Sequence, residues 1–295
     1  MESNENEAAP KVKSRAYAWM RLIRVIPLMI VFFATFAVSK MLLVNDKDAA
    51  TLGLIVMMGL IAANIENDIV DQHSDKQTPH KADRPIPSGL IKPGEAISTS
   101  FIIYGMVLVL AFLLSVYVLV VTLLYLVFVS SYNHYGKRSF GMFGHALAAL
   151  SSTSCVVLPM VYSQNHSLIF LAIGLFLLET GRELIVVCPD YLENQGRNRC
   201  STVPSQIGIR YTLLLSYVYT VPAAIICMLN VGLNPYLGNL YIICGLLWIG
   251  GLLFSPVPYI TEKDRTIVPN WLTFQITTKL TMGIFIMSLI LDYYF

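Results

Sequence analysis

The chain has 295 residues, 56% of them hydrophobic and 13% charged, and its 20 Lys and Arg nearly balance 18 Asp and Glu for a net charge of +2. A mean hydropathy of +0.64 excludes a soluble domain of this size and places the chain among membrane proteins. So small a net charge gives no sign of a nucleic-acid partner, and the lipid bilayer is the first partner to consider.

In chain order, residues 1–14, MESNENEAAPKVKS, are too polar to build a core and are expected to form a disordered tail ahead of one polytopic domain, 15–295. A bilayer span takes roughly 20 apolar residues, and about nine segments meet or approach that length. They are 22–43, 50–67, 97–115, 117–133, 141–162, 167–187, 209–229, 237–256 and 272–293. The apolar run from Phe101 to Val129 exceeds one span even with tilt, so it divides near Ser115–Tyr117. The first segment is longer than a signal-peptide core and has no small-residue cleavage site behind it, so it is read as retained. The expected fold class is an all-α membrane protein with about nine transmembrane helices.

Basic residues give the orientation. Lys11, Lys13, Arg15, Arg21 and Arg24 lead into the first segment, and Lys76, Lys81, Arg84 and Lys92 follow the second. Lys137 and Arg138 follow the fourth, Arg197, Arg199 and Arg210 the sixth, and Lys263 and Arg265 the eighth. The alternate connections SQNHS and NVGLNPYLGN carry no Lys or Arg. The positive-inside rule then places the amino terminus and the basic loops in the cytoplasm and the carboxy terminus outside. A bacterial inner membrane is the default setting. Cys155, Cys188, Cys200, Cys227 and Cys244 have neither metal-binding nor paired spacing and read as small buried hydrophobes.

The second segment runs into NDIVDQHSDKQTPHKADRPIPSG, residues 67–89. Asn64, Asp68, Asp71 and Asp75 are spaced by four, three and four residues, which on a helix sets them along one stripe. Three carboxylates on one face repel, and a divalent cation resolves the repulsion. Oxygen-only donors suit a hard ion such as Mg²⁺, and the spacing does not match an EF-hand loop. Pro85 and Pro87 forbid regular helix and Gly89 permits a turn, so the following loop is expected to be shaped.

These residues resemble the first signature of the UbiA-type superfamily of intramembrane prenyltransferases, Asn-Asp-x-x-Asp-x-x-x-Asp ahead of Arg-Pro-x-Pro-x-Gly. Asn67, Asp68, Asp71 and Asp75 match position by position, and Asn64 matches the Asn that commonly precedes them. The resemblance implies nine helices in a bundle around a central cavity, a cytosolic amino terminus and Mg²⁺ as cofactor. In YNHYGKR, Tyr132 and Lys137 stand where the family places a Tyr and a diphosphate-binding Lys. The second signature departs from the family pattern. In GRELIVVCPDYLENQGRNRC, Arg182, Glu183 and Asp190 match, but Val186 and Val187 replace the expected Lys and Asp, and Asn194 replaces the last Asp beside Glu193. Asp190 with Glu193 or Asn194 remains as an oxygen-donor set for one Mg²⁺.

A prenyl diphosphate joins an apolar tail to a charged head, so its site must join a lipid-accessible cavity to a metal cluster facing the cytoplasm. Asp68, Asp71, Lys137 and Asp190 are the expected catalytic residues; Lys137, Arg138 and Arg84 are expected to neutralise the diphosphate. Tyr132, Tyr135 and Arg182 are candidates for the cavity wall, where aromatic faces shelter a carbocation. His134 and His145 read as structural, and Gly141, Gly144, Ala148 and Ala149 as close helix contacts. The leading function is a Mg²⁺-dependent transfer of a prenyl group from its diphosphate to a small acceptor, most often aromatic in this family. The alternative is a terpene cyclase of the same superfamily that uses no acceptor. A transporter would favour ionisable residues at the bilayer midplane, where Lys279 alone is expected; a non-catalytic homologue that lost its second motif is the remaining reading.

Overall fold

A computed structural model describes residues 14–78, 81–136, 141–193 and 202–233, together with Gly250. Every regular element among them is helical. Each of the first seven predicted spans overlies a helix. The predicted spans 237–256 (Gly250 apart) and 272–293, with Lys279, lie outside the described residues, as does the expected tail except Ser14.

The first surprise is a break. Helix α1, Arg15–Ile23, is capped by Ser14, whose hydroxyl accepts from the Tyr17 N–H, and it ends at Arg24 in the left-handed region (φ 58, ψ 63). Helix α2, Val25–Met41, then departs at 46°. Ala18 and Leu22 on the inner face of α1 pack against Ile65, Ile86, Ile91 and Ala96. The basic amino-terminal segment is thus an amphipathic helix lying against a loop, because its apolar residues recur on one face.

Helix α3, Asp46–Lys76, is 31 residues long and starts at Asn45, whose side chain accepts from the Asp48 N–H. At 1.5 Å per residue it extends about 46 Å, well beyond the hydrocarbon layer, so the acidic stripe continues the same helix. Helix α4, Pro93–Leu114, and α5, Val116–Ser131, divide at Ser115, which is extended and caps α5 by accepting from the Val118 N–H. The cut expected at Ser115–Tyr117 falls there. Helix α5 runs into a π-helical turn, Tyr132–Gly136. Helices α6, Met142–Ser152, and α7, Ser154–Ser163, are bent by 50° across Thr153. Helix α8, Ile169–Glu193, the short α9, Val203–Ile207, and α10, Ile209–Leu233, complete the described chain.

Among the described residues, four helices are long and apolar enough to cross a membrane, or six if each bent pair forms one span. The chain is a multi-pass membrane protein. Helix α8 is not among these because Glu179, Arg182 and Glu183 lie within it. Phe101, Phe112 and Leu113 on α4 point outward at 72%, 65% and 72% exposure, as a lipid-facing surface requires. Inside, Leu52, Ile55, Leu158 and Leu213 are fully buried.

Close approach is built from small residues. A Cβ on Gly144 would stand 2.2 Å from the Gly136 carbonyl oxygen, so α6 touches the π-helical turn through backbone alone. On the other side, a Cβ on Gly181 would stand 2.5 Å from Thr220 Oγ1, which fixes how tightly α8 packs on α10.

Candidate active site

The acidic stripe on α3 is drawn into the protein. Asn64, Asp68 and Asp75 are buried, and Asn67 and Asp71 are half-buried. Unpaired carboxylates at such depth would be costly, and two arginines from other parts of the chain meet them. Arg24 Nη2 donates to Asp68 Oδ1 at 2.8 Å, and Arg84 Nη1 donates to Asp75 Oδ2 at 2.7 Å while lying 3.8 Å from Asp68 Oδ1. Asn67 Nδ2 donates to Asp68 Oδ1 at 3.4 Å, and Asn64 Nδ2 donates to the Ile23 carbonyl at 3.3 Å. The left-handed backbone of Arg24 costs of order 1 kcal/mol, and the two bonds from the α1–α2 break to α3 hold it.

The loop after α3 forms a cover. Arg21 grips Asp83 with two N–H···O bonds of 2.8 and 2.9 Å, and Arg15 donates to Glu95 at 2.6 Å. Ile86 and Ile91 are buried beneath it, and turns at Arg84–Ser88 and Ile86–Gly89 close it, with Gly89 at φ 78. Arg84 is therefore presented by a shaped loop.

The four side chains of the stripe and neighbouring Asn67 all offer oxygen, which matches a hard divalent cation. Two of the carboxylates are occupied by guanidinium groups, positive charges standing where a cation would bind. Among the described residues, no three His, Cys, Asp or Glu side chains converge into a metal cage. The donor chemistry fits Mg²⁺, with Arg24 and Arg84 as the groups that must yield.

The opposite face of α3 carries a second polar centre. Glu66 Oε1 accepts from Ser130 at 2.7 Å and lies 3.1 Å from His134 Nε2; Oε2 accepts from Tyr104 at 2.9 Å and Asn133 at 3.2 Å. Both oxygens are filled, by residues of α4, α5 and the π-helical turn. The neighbouring turn residue, Tyr132, points the other way and donates to Glu183 Oε2 of α8 at 3.3 Å. Arg182 then holds two glutamates of its own helix: Nε donates to Glu179 Oε2 at 2.8 Å and Nη2 to Glu183 Oε1 at 2.6 Å. The turn thus bridges the two motif helices.

Of the expected site residues, the structure brings Asn64, Asn67, Asp68 and Asp75 together with Arg84, and places half-buried Asp71 on the same stripe. It brings Tyr132 and Arg182 together through Glu183, and leaves Tyr135 60% exposed. Lys137, Arg138 and Asn194 lie outside the described residues. Asp190 and Glu193 fall in the last turn of α8, with side chains outside the described set. Sequence reasoning missed Arg24, Glu66 and Glu179 as site residues. The available signal was the same for all three: an ionisable residue inside a predicted span, where charge is costly and usually functional.

Comparison with known proteins agrees with the described architecture. The model of the UbiA prenyltransferase family matches residues 28–278. A digeranylgeranylglyceryl phosphate synthase of Methanoregula boonei is 28% identical over 172 residues, 56% of this chain and 59% of that protein. The match therefore spans less than two thirds of that relative's own length. Among solved structures, a UbiA homologue from Aeropyrum pernix superposes with a TM-score of 0.70 at 17% identity, covering 90% of this chain and 95% of that one. Another, from Archaeoglobus fulgidus with GPP and Mg²⁺ bound, gives a TM-score of 0.67 at 14% identity, covering 92% of this chain and 99% of that one.

Proposed function

The chain belongs to the UbiA prenyltransferase family, and from that membership we propose that it is a Mg²⁺-dependent intramembrane prenyltransferase, which ionises a prenyl diphosphate and joins the prenyl group to a small acceptor. The observation that carries this reading is the buried stripe of Asn64, Asp68 and Asp75 at one end of an apolar bundle, neutralised by Arg24 and Arg84. It is a seat for alternating charge: cations on the carboxylates, then a diphosphate. The Archaeoglobus homologue with GPP and Mg²⁺ bound supports the same assignment.

Asn64, Asn67, Asp68, Asp71 and Asp75 are the proposed ligands on α3, and Asp190 with Glu193, or with Asn194 next in sequence, those of the second motif. Bound Mg²⁺ would stabilise the charge that develops on the leaving diphosphate. Arg24 and Arg84, released from Asp68 and Asp75, then turn their N–H groups to the diphosphate oxygens, as charge-assisted donors do best. Lys137 and Arg138, next in sequence after the π-helical turn, are the further proposed partners of the diphosphate. Tyr132 and Arg182, joined through Glu183, are the proposed wall of the route from this seat into the bundle, whereas Tyr135 is exposed and drops out of that wall. An allylic cation is delocalised, so departure of the diphosphate is the main chemical task and no protein nucleophile is needed. The active site faces the cytoplasm, where the basic loops lie.

The test uses purified protein in lipid nanodiscs with C10, C15 and C20 prenyl diphosphates and Mg²⁺, read by diphosphate release and mass spectrometry. Release that yields an acceptor adduct supports a transferase, and the adduct mass separates an aromatic acceptor from a glyceryl phosphate. Release with a cyclic hydrocarbon or alcohol and no acceptor identifies the cyclase alternative. No Mg²⁺-dependent release at any chain length overturns the reading.

A further inference from the structure

One buried group has no task in the chemistry above. Glu179 is 3% exposed, and while its Oε2 is held by Arg182, its Oε1 is buried without a hydrogen-bond partner. A carboxylate oxygen left bare in the protein interior loses its hydration with nothing in return, so such a group calls for a ligand that completes it. Glu66 is the internal contrast, because both of its oxygens are filled by side chains. A second open position lies on a neighbouring helix. His145 on α6, a helix packed against α8, is 6% exposed, its Nδ1 is buried without a partner, and the ring is within electrostatic reach of Glu183.

The depth of these groups is fixed by the π-helical turn. Tyr132 and Asn133 are adjacent and reach Glu183 and Glu66 respectively, so both glutamates sit at one level of the bundle. That level on α3 is the start of the acidic stripe, between Asn64 and Asp68. Glu179 is one turn, about 6 Å, beyond Glu183 and away from Asp190. It therefore lies just inside the seat for the diphosphate, at the depth where the carbon bonded to the diphosphate enters the bundle.

We propose that Glu179 is a catalytic residue that takes the hydroxyl proton of the second substrate through its bare Oε1, so that the acceptor is a small hydroxyl-bearing molecule seated between α6 and α8. This inference rests on the transferase reading. In the step, the bond between the prenyl carbon and the diphosphate oxygen breaks, and its electron pair leaves with the diphosphate. The acceptor oxygen forms a new C–O bond to that carbon, and its proton passes to Glu179, which becomes a neutral acid and later returns the proton to water. Arg182, bonded to Glu179 through Oε2 and to Glu183, holds the carboxylate in place and leaves Oε1 to receive the proton, and His145 Nδ1 offers a second hydrogen bond to the same acceptor.

The experiment compares wild type, Glu179→Gln and Glu179→Asp in nanodiscs, with a phenol and glycerol 1-phosphate as acceptor probes. In Glu179→Gln, diphosphate release continues within about threefold of wild type, with water capturing the prenyl cation as an alcohol, while prenyl ether formation falls about 100-fold, the usual contribution of a general base. Glu179→Asp, which keeps the base, recovers most of that loss. Ether formation at the wild-type rate in Glu179→Gln overturns the proposal. So does an equal loss of release and ether formation in both variants, since that is the mark of a structural brace. A wild type that prenylates the phenol only at carbon and forms no ether overturns this inference alone, whereas one that releases no diphosphate, or makes only cyclic products, overturns the transferase reading and this inference with it.

Discussion

On α3, two buried aspartates each receive an arginine from a different part of the chain: Arg24 from the α1–α2 break and Arg84 from the proline-rich loop. On α8, one arginine serves two glutamates of its own helix, at spacings of three residues and one. The first arrangement is balanced and separable, because a small movement of the loop or of the helix break parts cation from anion. The second is fixed, because its partners share one helix, and it retains more carboxylates than cations. Charges brought from outside the helix suit a site that exchanges ligands; charges locked within one helix suit a wall that orients a single group.

The largest expected effect breaks the α3 half. Asp68→Ala removes a proposed metal donor and the partner of Arg24 together, and Mg²⁺-dependent diphosphate release should fall by roughly 1,000-fold, the scale of losing a main electrostatic contact. Gel filtration should show an unchanged monodisperse protein, and a release rate within tenfold of wild type would remove Asp68 from the site. Next comes the α8 half. Arg182→Ala leaves two carboxylates unpaired inside the bundle and should cost about 3–5 kcal/mol of stability, seen as a lower Tm in detergent. Arg24→Ala should lower Tm less, since Asp68 keeps Arg84 at 3.8 Å and the Arg24 side chain is 40% exposed. Equal losses in the two variants would erase the distinction between a separable and a fixed pair. Smaller again is Gly144→Ala, which places a Cβ against the Gly136 carbonyl and should cost about 1–3 kcal/mol by overpacking. Because the π-helical turn joins the two halves, activity should drop further than stability alone explains, and a purely thermal effect would detach that turn from the site.

Much of this was legible in the sequence, for identifiable physical reasons. Hydropathy marks lipid-facing helices well, so α4 and α5 and even their division near Ser115 follow from an apolar run too long for one span. The α3 stripe was legible because a spacing of three and four residues leaves one helical reading. The α1–α2 break was not, since 22–43 has the length and apolar content of one span, and Arg24 at its start reads as a flanking basic residue rather than as a left-handed corner. Glu66 was hidden in a different way. It lies within the recognised motif but on the far side of the helix, and its value comes from Tyr104, Ser130, Asn133 and His134, which only the fold brings to it. Glu179 was overlooked because the motif comparison began at Arg182, one turn too late.

Arg24 offers the sharpest test of separability, because its effect should change sign with the ligand. Without substrate, its guanidinium competes with a metal ion for Asp68 Oδ1, so Arg24→Gln should bind Mn²⁺, used as a spectroscopic substitute for Mg²⁺, about tenfold more tightly. That gain, ~1.4 kcal/mol, is the Coulomb repulsion expected for neighbouring cations near a surface after screening. Once a prenyl diphosphate is bound, the same guanidinium should move from the aspartate to the leaving group, and its loss should raise KM about tenfold as a charge-assisted contact disappears. Electron paramagnetic resonance titration of Mn²⁺ reads the first effect and diphosphate-release kinetics the second. Opposite signs would show that α3 passes its cations from protein to substrate. Unchanged values in both would make the Arg24–Asp68 pair a static brace, and the α3 and α8 ends would then differ only in where their arginines come from.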